Sequence, residues 1–286
     1  MITNVLTSAI SRPRSIRRRV QTRRASLIAV VFGVLPVVLL YLASFLPFEF
    51  SPTTPDAASV LLAPSSVHWF GTDASGFDVF SRTFSAAQLD LPLAIGGTVV
   101  AALIGVPIGL LVSEETVASN AVMRVVDALQ ALPLLIVAIA IVSLSGRNLV
   151  MVILAIVLVA GPNFVRLTRS GAIVVRNMRF VEAAQSVGAS RSRVMFVHIL
   201  PNVAGLVLAQ FVLAIGMALV VIAALNFIGV GVTPPTPSWG SMVSAGAGVI
   251  GQGAWWVAFF PSLAIVIVVS SLSFAARNVE ELLKAR

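Results

Sequence analysis

The sequence predicts an all-α integral membrane protein with six transmembrane helices, and three observations carry that prediction. The chain of 286 residues is 58% hydrophobic and only 10% charged, too apolar for a soluble domain of this size. Its apolar residues fall in six blocks, each close to the roughly 20 residues that cross a hydrocarbon core at about 1.5 Å rise per residue. The basic residues between the blocks are unevenly placed. With the N-terminus inside, 17 of the 19 Lys and Arg lie on the inner side, and only Arg82 and Arg147 lie outside. That is the positive-inside bias of a multi-pass protein with both termini cytoplasmic.

The elements follow in order. Residues 1–26 carry seven arginines, Arg12 to Arg24, and read as a poorly ordered cytoplasmic arm. The first span is 27–46. Its apolar run exceeds a signal-peptide core and no small-residue cleavage site follows, so it reads as an uncleaved span. Residues 47–90 form an external segment rich in Pro, Ser, Thr and Asp. Within it, Val79, Arg82, Thr83 and Ala86 share a face of an amphipathic helix, Phe77–Leu89, expected to lie along the interface.

Residues 91–276 form the main bundle, with spans at 93–112, 123–144, 149–168, 203–225 and 255–276. The second span repeats a small residue every fourth position, Gly97, Ala101, Gly105 and Gly109, a stripe that lets another helix backbone approach closely. Pro36, Pro107, Pro133, Pro162 and Pro261 each remove a helical hydrogen bond and are candidate kinks. Residues 226–254 are dense in Pro and Gly and read as a rigid external loop with an aromatic anchor. Residues 277–286 form a cytoplasmic tail.

The segment 176–201 differs from everything around it. Its arginines keep it out of hydrocarbon. It reads as a short helix (Glu182–Val187), a break at Gly188, a second short helix from Ser190, and a stop at Pro201. A compact hairpin on the membrane surface is a docking feature.

Several functions are excluded or disfavoured. The net charge of +8 reports topology, and with no recognition fold beside it no nucleic-acid partner is expected. The absence of cysteine removes disulfides, zinc thiolates and a thiol nucleophile. The single lysine, Lys284, has no Gly-rich loop before it, so the chain holds no phosphate-binding loop and is not itself an ATPase. Ser190 and His198 form a faint serine–histidine pair, the only hint of an intramembrane serine protease. Ser190 reads better as a helix N-cap. Asp73 and Asp78 read as capping and turn residues rather than metal ligands, and His68 as a structural loop residue. No catalytic, metal or cofactor-binding residue is expected. Polar residues inside spans are costly in lipid and should face the interior. Asp127 is placed to pair with an arginine, Gln130 lies three residues on along the same helix face, and Asn163, Gln210 and Asn226 are candidates for a translocation path.

The ordered motifs resemble the binding-protein-dependent ABC importer permeases of the dipeptide/oligopeptide type, the DppC/OppC-like subunits. Glu182, Ala183, Ala184, Gly188, Leu200 and Pro201 match the family's EAA loop. His198 stands at its usually aliphatic position, and His198–Asn202 matches the peptide subgroup's H-I-L-P-N. Phe70–Asp73 through Asp78 is similar to L-G-T-D-x-x-G-R-D, with Phe77 in place of the arginine. Ala224–Gly231 is similar to S-L-S-F-L-G-L-G, and Pro234–Gly240 to P-P-x-P-x-W-G. The frequent L-D-P-R ending is absent.

The resemblance covers residues 68–276 and implies a type I ABC importer permease fold with a cytoplasmic coupling helix in the 176–201 loop, in a bacterial plasma membrane. It implies a non-catalytic transport subunit forming half of a peptide pathway. Its implied partners are a homologous DppB/OppB-type permease, two ATPase subunits or one fused ATPase that bind ATP and Mg, and an external substrate-binding protein. Relatives with the same motifs carry nickel, glycosides or other small solutes, so cargo stays open at this point.

Overall fold

The computed structural model describes residues 13–114, 116–146 and 148–284. The first part of the basic arm (1–12), Arg147 and Arg286 lie outside the described residues. Helix α1 spans Pro13–Ala43, so the arm from Pro13 onward is helical and continuous with the first span, contrary to the expectation of a poorly ordered segment. Arginine is a good helix former, so the basic stretch can continue the first span as helix. Pro36 lies inside α1 without ending it.

Helices α2 (Val79–Ser85) and α3 (Ala87–Leu111) follow, then α4 (Val117–Ala131), α5 (Leu134–Leu144) and α6 (Leu149–Arg176). Two short helices, α7 (Arg179–Ser186) and α8 (Arg191–Arg193), lead into α9 (Leu200–Phe227). Helices α10 (Trp239–Val249) and α11 (Trp256–Lys284) complete the chain. Among the described residues five helices are long and apolar enough to cross a membrane, and α4 with α5 makes a sixth span bent by 81°.

That bend corrects the single straight span expected at 123–144. Pro133 has no N–H and its ring pushes the preceding residue out of the helical region. Leu132 is accordingly extended, with φ −78° and ψ 146°. The other four prolines flagged as kinks stay inside continuous helices.

Helices α3 and α6 run parallel and in close contact along the small-residue stripe. A Cβ added at Gly97 would sit 2.7 Å from Ile156, one at Gly105 2.7 Å from Phe164 Cβ and 2.8 Å from the Gly161 carbonyl, and one at Gly109 2.6 Å from the Val165 carbonyl. Ala101 is fully buried between them, with Phe164 and Ala160. The largest core cluster joins α3, α5, α6, α9 and α11 around Leu91, Ile156, Leu219, Ile222, Leu225 and Val268. Helix α1 packs on α11, with Gly33 against the Ala275 backbone, and leaves Phe32, Leu39 and Leu42 exposed, as lipid-facing residues would be.

At the end opposite the α6–α9 loop, residues 44–78 fold over the start of α11. Phe70 stacks flat on Phe260 at 3.8 Å, and Trp256 Nε1 donates to the Thr72 carbonyl at 3.1 Å. Helix α2 does not lie along the interface: Val79, Ser81, Arg82, Thr83 and Ser85 are all buried. The polar face that suggested an interfacial helix is used inside the protein. Arg82 Nη1 donates to the carbonyls of Pro52 (2.8 Å) and Pro235 (3.2 Å), and its guanidinium lies 4.1 Å above Phe77. The residue that stands where the subgroup has an arginine thus receives one from the next turn.

Residues 226–254 are not all loop. After a turn containing a cis Pro234–Pro235 bond, the eleven residues of α10 form a helix. Its sequence is dominated by Gly, Ala, Ser and Val, with no apolar run, and packing against α9 and α11 stabilises it as a helix.

Candidate functional site

The α6–α9 hairpin is built from three local devices. Helix α7 ends in a Schellman motif: Ala189 N–H donates to the Ala184 carbonyl (3.1 Å) and Gly188 N–H to the Gln185 carbonyl (2.9 Å). Gly188 has φ +82°, a left-handed conformation that costs about 1–2 kcal/mol for a residue with Cβ. Nothing lies within 4 Å of a Cβ added there, so the requirement is conformational, not steric. Ser190 then caps α8, its Oγ accepting from Arg193 N–H at 3.3 Å, the structural role expected for it.

The third device overturns an expectation. Pro201 does not stop the second helix. Val194–Ile199 form a π-helical turn, with Leu200 N–H donating back to the Met195 carbonyl, and the helix runs unbroken from Arg191 to Phe227. The wider turn relieves the clash of a proline ring with the carbonyl four residues back, so the continuous helix accommodates Pro201 directly after it.

The hairpin has two distinct faces. Val181, Val194 and Ile199 are buried with Leu110, Ala172, Val175 and Val203, and Ala189 and Leu200 pack at the edge of that cluster. This pins the hairpin to the ends of α3, α6 and α9. Glu114, in the α3–α4 turn, adds a polar clamp: it pairs with Arg176 at 2.9 Å and with Arg191 at 3.6 Å. Arg176 also donates to Ser113 (3.1 Å), and Arg169 to the Val112 carbonyl (3.0 Å). The outer face exposes Glu182, Ala183, Phe180 and, at 86%, Val187. The Glu182 carboxylate has no hydrogen-bond partner among the described residues and caps no backbone donor.

The three path candidates separate. Asn163 and Gln210 line one cleft of about 280 Å³ between α6, α9 and α11, with Met217 and Ser273. Asn226 is elsewhere: it is buried, and its Oδ1 accepts from Val232 N–H at 2.6 Å, closing the turn that follows α9. It is a turn residue, corrected from a path residue. Asn163 also accepts from Gln130 Nε2 at 2.9 Å, and Asp127, one turn earlier on α4, pairs with Arg166. The arginine that pairs with Asp127 therefore comes from α6, and two polar ties hold the bent α4 against it.

At the opposite end Asp73 accepts from the backbone of Ser75 and Phe77. Asp78 caps α2 through Ser81 N–H (2.8 Å) and holds His68 Nδ1 at 3.0 Å. Sequence reading missed Asp90 there. It is fully buried at the start of α3, and its Oδ2 accepts from Trp239 N–H (2.9 Å) and Ser238 Oγ (3.1 Å), capping α10 from another helix. Trp239 Nε1 reaches the Thr83 carbonyl at 2.7 Å. The available signal was a carboxylate at the mouth of an apolar run, which lipid does not tolerate unless it is paired. Replacing Asp90 with alanine is expected to leave both donors without their acceptor. Amide hydrogen exchange should then speed up at Trp239 and through the first turn of α10 while α6 stays protected. Unchanged protection at Trp239 would refute the cap.

The described residues thus form a helical bundle of five to six candidate membrane spans, with a structured hairpin between α6 and α9. Residues 101–286 match the family described as binding-protein-dependent transport system inner membrane component, and the chain belongs to that family. It is 32% identical over 270 residues to the glutathione transport system permease protein GsiD of Pectobacterium atrosepticum, covering 93% of this chain and 88% of that one. It is 32% identical over 263 residues to the probable D,D-dipeptide transport system permease protein DdpC of Escherichia coli (91% and 88% covered). It is 34% identical over 214 residues to the di/tripeptide transport system permease protein DppC of Pseudomonas aeruginosa (74% and 70% covered). The chain is thus a multi-pass permease subunit of an ABC importer, a non-catalytic part of an assembly whose ATPase is a separate subunit.

Proposed function

We propose that this permease subunit carries short peptides inward as half of a shared pathway, with both termini in the cytoplasm. The observation that carries the reading is the two-faced hairpin. One face is fixed to the ends of three long helices, and the other presents exposed apolar side chains around Glu182, which has no partner among the described residues. Such a surface suits a groove on a cytoplasmic ATPase subunit. ATP and Mg bind on that partner, and the closing of paired ATPases moves Glu182, Ala183, Ala184 and Gly188 as a unit. Leu200 and Pro201 pass the movement into α9. Because ATP must favour one conformation of the assembly for this to work, the coupling is a two-state device.

A homologous permease of the DppB/OppB type supplies the second half of the pathway, and an external binding protein delivers cargo. Peptide cargo is supported by the names of the relatives and by the uncharged amides of Asn163 and Gln210 in the cleft. Amides donate to and accept from a peptide backbone without selecting side-chain charge.

The chain has no cysteine, which gives a background-free test. A Val187→Cys variant, labelled through its thiol with a maleimide–benzophenone reagent in native membranes and then irradiated so that the benzophenone inserts into a neighbouring C–H bond, is expected to capture a polypeptide bearing a phosphate-binding loop. The Ser75→Cys variant, at the other end, is expected to capture none. Absence of the ATPase from the Val187→Cys product, or equal capture by both variants, refutes the docking assignment.

A further inference from the structure

Beside the cap of α2 lies a pocket of about 190 Å³ whose walls include Phe48, Phe50, Trp69 and Phe80 and whose polar lining includes Glu49 and Asp78. The rings form a mutually supported cluster. Trp69 meets Phe80 edge-on at 4.9 Å, Phe48 meets Phe80 at 6.1 Å, and Phe50 lies over His68 at 4.3 Å. Trp69 nevertheless leaves 64% of its surface open. Aromatic faces carry negative quadrupole potential and attract cations.

The two carboxylates are in different situations. Asp78 is buried and engaged by His68 and Ser81. Glu49 is exposed and has no hydrogen-bond or ion-pair partner among the described residues. Residues 47–90 hold five carboxylates against one arginine, Arg82. That arginine donates to Pro52 and Pro235 and makes no ion pair with Asp78 among the described residues. The pocket therefore combines aromatic walls, an unanswered negative charge at its rim and an acidic neighbourhood.

We propose that this pocket is a binding site for a primary ammonium group, the chemistry shared by the amino terminus of a peptide and an ethanolamine lipid headgroup. The group enters along the aromatic walls, and Glu49 neutralises it at the rim. Asp78 adds field from below while remaining the cap of α2. The site lies apart from the α6–α9 cleft and does not depend on the identity of the cargo.

The test uses the full-length chain in nanodiscs of phosphatidylglycerol, which has no amine. Tryptophan emission of the chain, in which the contribution of Trp69 is the part missing from Trp69→Phe, is followed during titration with n-butylammonium and, separately, with neutral n-butanol. A saturable change with the ammonium alone is expected, lost in Trp69→Phe and weakened about tenfold in Glu49→Gln, as one lost charge contact implies. Both variants alter exposed side chains and are expected to leave thermal unfolding unchanged. Equal responses to the two probes, a signal that survives in Trp69→Phe, or an unchanged affinity in Glu49→Gln would overturn the assignment. Repeating the titration in phosphatidylethanolamine nanodiscs separates the sources. Loss of the response there means the headgroup occupies the pocket, and a persistent response means a soluble ammonium, as on a peptide, reaches it.

Discussion

Transport is expected to stop when Gly188 is replaced by aspartate, while the chain still inserts and accumulates in the membrane. The residue at this position must hold φ near +82°, and a side chain there pays about 1–2 kcal/mol. The charge adds to this, because an anion beside the C-terminal end of α7 opposes the helix dipole and sits on the surface that would meet the ATPase. Open space around Gly188 means the bundle itself is not disturbed. Asparagine is the informative companion: it tolerates the left-handed region better than most residues and carries no charge. Gly188→Asn is therefore expected to keep a substantial part of uptake, measured with labelled peptide in cells where the complete system is expressed. Normal uptake by Gly188→Asp would sink the hairpin's assignment to coupling.

The second large effect is on folding. Gly105→Leu drives a side chain into Phe164 and the Gly161 carbonyl, both closer than 3 Å to the added Cβ. One of these is backbone, so no rotamer change gives relief. Overpacking of this kind costs about 1–3 kcal/mol where neighbours can shift, and more where α3 and α6 must separate. The variant chain is expected to be degraded rather than to accumulate, as an immunoblot of membranes would show. Gly96→Leu, on the same helix with nothing within 4 Å, is expected to accumulate normally. Equal levels of the two would remove the stripe from the account of the fold.

These two glycines mark how far the sequence could be read. The stripe at Gly97, Ala101, Gly105 and Gly109 is periodic, and periodicity is a local property, so its packing role was legible before its partner helix was known. The Gly188 break and the Ser190 cap were legible for the same reason. What escaped were interactions between residues remote in sequence. Asp90 finds Ser238 and Trp239 across 148 and 149 positions, and Glu114 finds Arg176 across 62. Neither has a local signature beyond being a charge at a helix end. The helix α10 was hidden because its Gly- and Ala-rich sequence is stabilised by remote contacts, its packing on α9 and α11 and the cap from Asp90. Asn226 was misassigned because burial cost alone does not say whether an amide faces a path or a neighbouring turn. Pro201 was misread because a proline rule calibrated on α-helical turns does not foresee a π turn directly before it.

The continuity of Arg191–Phe227 has a mechanical meaning. Thirty-seven helical residues make a rod about 55 Å long. A stiff rod pivoted near one end amplifies angle into distance: a tilt of about 5° over that length displaces the far tip by about 5 Å. One residue before the tip, Phe227, lies Asn226, whose side chain holds the Val232 turn. On the proposed coupling role, a push of a few degrees beneath Arg191 would move the far end of this helix by about the size of a side chain, with no intermediate needed to relay it.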